Sequence, residues 1–195
     1  MTDLRTTCRS ALDRAVDRSY ALVSGRLLLA AAALFVFALA VVLPQEASRG
    51  AAYYGDGPTP DSSFIYSAAE LYEMASAFGA EGRRYYIRSR FTFDVVWPLT
   101  YGLFLWSAIA YFGRSLRDGR LRYVVVLPIL AVLFDFLENT SASVVVFYYP
   151  ERIPVVPHLV PAWTFSKWVT LGLSFAVLGL LIVRYVGVAA ARRLK

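Results

Sequence analysis

One cysteine, Cys8, and one histidine, His158, are all that this chain of 195 residues offers of the two most versatile metal-binding and nucleophilic side chains. A single thiol excludes an intrachain disulfide, a CxxC redox pair and a cysteine-rich metal site. A single histidine, placed in a Pro-rich loop, argues against haem held by two histidines of one chain, a zincin-type helix and a His-based triad with helix-borne partners. No cofactor and no metal centre is therefore expected. Charge is scarce as well. Only 17% of the residues are charged, against roughly 25% for a soluble domain of ordinary composition. The deficit is accounted for if lipid covers much of the surface.

What the chain has instead is apolar length: 58% of its residues are hydrophobic and 15% aromatic, with a mean hydropathy of +0.52. Residues 27–43 run for seventeen positions without one polar side chain, bracketed by Arg26 and Pro44. That length suits a hydrocarbon core about 30 Å thick. A signal peptide is the alternative, but twenty-six residues precede the run and no A-x-A site follows Leu43, so an uncleaved helix is expected. The reading is an all-α, polytopic membrane protein, a bundle of four transmembrane helices in a single domain. The spans are 26–43, 91–112, 122–147 and 163–185. Residues 1–25 form an amphipathic arm, and 44–90 an extracytoplasmic loop with a helix at about 62–79.

The net charge of +6 invites a nucleic-acid reading, yet most of the eighteen arginines flank apolar runs. Contact with lipid headgroups explains them more simply, so nucleic acid is not an expected partner. Thirteen basic residues fall in the N-terminal arm, the connection between the second and third spans, and the C-terminal end; six (Arg49, Arg83, Arg84, Arg88, Arg90 and Arg152) fall on the other side. The positive-inside rule then places both termini in the cytoplasm. A bacterial or archaeal cell membrane is the expected location. The concentration from Arg83 to Arg90 runs against the rule, and lipid phosphates are its expected contacts.

Two segments read as helices lying on the membrane. In the arm, Leu4, Cys8, Ala11, Leu12, Ala15 and Val16 share one arc at about 100° per residue, with Asp13, Arg14, Asp17 and Arg18 on the other. Outside, Asp61-Ser62-Ser63 offers an N-cap, Ser67-x-x-Glu70 a capping box and Gly79 a stop. Phe64, Ala68, Leu71, Ala75 and Phe78 make the stripe between them. Pro154, Pro157, His158 and Pro161 read as a rigid connector, and the Trp and Tyr residues as interfacial belts.

Four ionisable residues stand inside the spans: Asp94, Asp135, Glu138 and Lys167. Each costs about 2.5–3.5 kcal/mol to insert, so such groups turn to a bundle interior or a wet cavity. Asp135, Glu138 and Asn139 are spaced i, i+3, i+4 and project from one face. Asp94, Pro98 and Tyr101 form a stripe on the second span, and Lys167, Thr170 and Ser174 one on the fourth. The expectation is one pocket in the outer half of the bundle, between the second, third and fourth spans. Asp94, Glu138 and Lys167 are the candidate acid–base and counter-charge groups. Tyr101, Asp135, Asn139, Thr170 and Ser174 would bind beside them, and Trp163 would roof the pocket. Three acids against one base leave two negative charges, to be met by protons, a cation or an arginine.

This plan resembles the emopamil-binding-type sterol isomerases in architecture alone. Their His and Thr pattern on the third helix is absent here, where Phe134-Asp135-Phe136-Leu137-Glu138-Asn139 stands, so the resemblance implies no site residue. Three functions remain open. The leading one is binding of an amphiphilic or lipid-like small molecule, with carboxylate acid–base chemistry on it as an extension; membrane lipids are the other expected partner. The second is a proton- or cation-coupled carrier, and the third a structural or accessory subunit held by a buried polar network.

Overall fold

The computed structural model describes residues 2–55, 57–116 and 119–193, with side chains from residue 11 onward apart from residues 120 and 193. Among the described residues the chain is helical and has no strand. Eight α-helices follow in order: α1 (Thr2–Leu22), α2 (Gly25–Phe37), α3 (Leu43–Tyr54), α4 (Ala68–Ala77), α5 (Gly79–Arg90), α6 (Phe93–Phe112), α7 (Leu127–Tyr148) and α8 (Val156–Arg193). Three stretches are long and apolar enough to cross a membrane: Gly25–Tyr54, Gly79–Leu116 and Val156–Arg192. A membrane protein presents such helices. The first leaves most of its apolar side chains uncovered by the rest of the chain, with Leu29 72% and Phe37 56% exposed.

The bundle is built around α7, which packs along α8 and α6, while α2 lies against α6. Close approach of α6 and α7 depends on Gly102, where a Cβ would come within 2.4 Å of Val132 Cγ2. Two apolar clusters result. One gathers Val16, Tyr20, Tyr101, Leu105, Ile109, Ala131, Leu178 and Leu181. The other gathers Leu71, Met74, Phe78, Tyr86, Ala142, Val145 and Val160, so that α4 caps α7 and α8. Along α5 and α6 the chain passes from Tyr86 to Tyr101, and along α7 from Ala142 to Ala131. The polar residues of these three helices therefore fall in a layer between the two clusters.

Several boundaries differ from the sequence reading. The first apolar run does not stop at Pro44. A π-helical turn, Ala38–Val42, leads into α3, whose first turn holds the proline. The wider turn accommodates a residue that has no N–H to donate and that crowds the carbonyl before it. Most of 44–90 is helix rather than loop, because α5 follows α4 directly. Gly79, at φ +63°, turns the chain between them. Ser67 and Glu70 make the capping box that starts α4, but the helix begins there and not near residue 62.

The arm also docks by a face other than the one its pattern suggests. Val16, Ser19, Tyr20 and Val23 are buried while Ala11, Leu12 and Ala15 are exposed. Asp13 and Asp17, on the arc opposite the apolar one, pair with Arg122 at 2.6 and 3.2 Å. The side chains of Leu4 and Cys8 lie outside the described residues. The proline-rich connector is partly helix, since Pro157 falls in the first turn of α8, where an N–H has no partner to lose.

Candidate functional site

The polar layer is one connected network. Tyr101 of α6 donates to Asp135 Oδ2 at 2.8 Å, and Asn139 Nδ2 donates to Asp135 Oδ1 at 3.0 Å. Asn139 Oδ1 accepts from Arg90 Nη1 at 3.4 Å. Arg90, at the end of α5, lies with Nε 3.1 Å from Asp94 Oδ2 and also pairs with Asp61. Asp61 then reaches Lys167 Nζ at 3.3 Å, and Lys167 stands 2.5 Å from Glu138 Oε2. Side chains from α5, α6, α7, α8 and the segment before α4 are thus joined in a single chain of ion pairs and hydrogen bonds.

Burial sorts these groups. Glu138 is 1% exposed and sits behind Lys167, and its Oε1 has no hydrogen-bond partner. Asp61 is the outermost, with 31% of its side chain exposed. It lies in a short 3-10 turn, Pro60–Ser62, and burial by itself raises its pKa. The Arg90 guanidinium and the Lys167 ammonium outweigh that effect and hold the carboxyl below its ordinary range.

Beside the network is a cavity of about 360 Å³. Its polar wall is Asp61, Arg90, Asp94, Asp135 and Lys167; Leu43, Phe93, Trp97, Trp168 and Leu171 form its apolar wall. Glu46 of α3 lines it too, accepting from Tyr85 Oη at 2.7 Å. Carboxylate oxygens of Asp61, Asp135 and Glu138 lie within 4.8 Å of one another, close enough to share a cation. Lys167 already places an ammonium against two of the three, so the resident cation of that cluster is the lysine.

The structure therefore brings Asp94, Tyr101, Asp135, Glu138, Asn139 and Lys167 together. It does not bring the other three candidates to the cavity. Trp163 stacks on Phe134 with ring centroids 6.0 Å apart, and it is Trp168 that lines the cavity. The Thr170 hydroxyl donates to Ser166 O and the Ser174 hydroxyl to Thr170 O, both at 2.7 Å, so each is spent on its own helix. His158 is exposed and is not among the lining residues. The cavity also has walls beyond the three expected spans. Its walls come from α3, the turn at Asp61, the end of α5, α6 and α8, and α7 contributes Asp135 alone.

Two members of the network escape a reading of the sequence. Arg90 is buried among carboxylates instead of meeting lipid phosphates. Its i, i+4 spacing to Asp94 was the available signal. Asp61 carries no local signal, since its partners are 29 and 106 residues away. No family model, curated protein or solved structure shows a significant match to this chain.

Proposed function

We propose that the chain is a four-span membrane protein with both termini in the cytoplasm, whose cavity binds an amphiphilic molecule with a proton-donating head, an ammonium or a hydroxyl. The observation that carries this reading is the two-sided cavity: Asp94 and Asp135 on one wall, Trp97, Trp168 and Leu171 on the other. Its volume falls within the usual range for small-molecule sites. The network holds four carboxylates (Asp61, Asp94, Asp135 and Glu138) against two cations, Arg90 and Lys167. Two formal negative charges remain, which favours a donor head over an anionic one.

Roles follow from position. Asp94 and Asp135 meet the head, and acid–base chemistry on it would fall to them. Glu138 does not line the cavity, so its part is to hold Lys167. Tyr101 and Asn139 orient Asp135. The carrier reading needs a polar path through the other half of the bundle. There the buried residues Leu105, Ile109, Leu178 and Leu181 are apolar, which is a reason to prefer binding.

Single replacements Asp94→Asn, Glu138→Gln and Lys167→Met, each followed by thermal unfolding and mass spectrometry of copurified small molecules, test the assignment. Asp94→Asn should lose the bound molecule and, because Arg90 keeps its pair with Asp61, should cost less stability than the other two. Glu138→Gln and Lys167→Met each break a buried pair and should cost about 3–5 kcal/mol. Destabilisation by all three with the bound molecule unchanged, or absent throughout, would support a purely structural network and sink the binding reading.

A further inference from the structure

A second cleft lies at the other end of the bundle. From Asp94 to Phe112 is eighteen residues along α6, about 27 Å at 1.5 Å per residue. The end of α6 therefore stands one hydrocarbon thickness away from the ion network. There Tyr111 and Arg114 face Arg184, Tyr185 and Arg192 of α8 across a cleft of about 670 Å³. Arg114 lies over the Tyr111 ring at 4.8 Å and donates to Val23 O, which ties the turn after α6 to the link between α1 and α2.

The cleft has three guanidiniums and no carboxylate among its lining residues. Among the described residues no acid pairs with Arg114, Arg184 or Arg192. The nearby acids of α1, Asp13 and Asp17, hold Arg122. Arginines at a helix end can serve only to complement the helix dipole or reach the headgroup layer one by one. Convergence of three on one concave surface goes further, because guanidinium forks match phosphate oxygens in pairs. Phe112, Val188 and Ala189 extend the same surface with apolar atoms, as an acyl chain below a phosphate requires.

We propose that this cleft binds the phosphate of an anionic membrane phospholipid. A basic pocket between spanning helices at the headgroup level has the chemistry for it, and the apolar continuation favours a lipid over a free phosphate ion.

The test uses the purified full chain in neutral detergent, offered mixed micelles of phosphatidylglycerol and phosphatidylcholine, with retained lipid read by native mass spectrometry. Wild type should retain the anionic lipid preferentially. The double variant Arg184→Gln/Arg192→Gln replaces two exposed side chains and should lower that preference by about five-fold per arginine. The control Arg14→Gln/Arg18→Gln, on the exposed face of α1, should leave it intact. An unchanged preference in the cleft variant overturns the proposal, and so does an equal fall in the control, which would mean diffuse surface charge. In a third arm, inorganic phosphate is added to wild type. Full displacement of the lipid at millimolar phosphate would assign the cleft to the free ion and overturn the lipid assignment.

Discussion

Asp61 joins the two cations of the buried network, and its charge has a consequence that pH can read. Arg90 and Lys167 hold its carboxyl below the ordinary range against the opposing effect of burial. A depressed folded-state value means that the pairing stabilises the fold above the ordinary aspartate range. That stabilisation is lost as pH falls through the folded value. Thermal midpoints followed from neutrality into acid should therefore fall more steeply for wild type than for Asp61→Asn, whose midpoint at neutral pH is already lower. Parallel curves would mean that the Asp61 pairing is not what acid removes. The same residue marks the limit of reading by local pattern. Asp94, Asp135, Glu138 and Lys167 stand out because each interrupts an apolar run. Asp61 sits among Pro, Thr and Ser, where an aspartate reads as a cap, and only tertiary folding brings it to Lys167.

α7 decides how many times the chain crosses the membrane. Its sequence alone looks poorly suited to crossing, with Asp135 and Glu138 near the middle. In the fold, Asp135, Glu138, Asn139 and Ala142 are all turned inward, while Ile129, Leu133 and Phe147 are exposed on the other faces. A helix that hides its charges and shows lipid its apolar side can span, and this supports the proposed count of four. An even count puts the termini on one side. Reporters fused to the N- and C-terminus of the full chain should both report cytoplasm; a split result would mean that α7 does not cross. The i, i+3, i+4 spacing made the polar face of α7 legible beforehand. The extents of α3 and α5 were not legible. Pro44 reads as a stop until the π turn before it is seen, and the four arginines of α5 read as exposed until Arg90 is found inside.

On the scale of the whole molecule, two apolar clusters clasp a polar layer, and the layer opens into a cavity that α7 reaches through Asp135. The sequence pointed to an all-helical chain and picked out six residues that meet in the network, but of the cavity's walls it named only α6, α7 and α8 and missed α3, the turn at Asp61 and the end of α5. Helical periodicity tells which face of a helix is polar. It does not tell which neighbour covers that face, and here the neighbours include α3 and the turn at Asp61, segments read as loop.

Whether this cavity receives an amphiphile is the central claim, and a density map of the protein extracted from its membrane into lipid nanodiscs tests it most directly. Elongated density should fill the cavity, one end within about 2.6–3.2 Å of Asp94 and Asp135, the rest lying along Trp97 and Leu171. A cavity that holds only water, or that side chains close while the ion network stays intact, would contradict it.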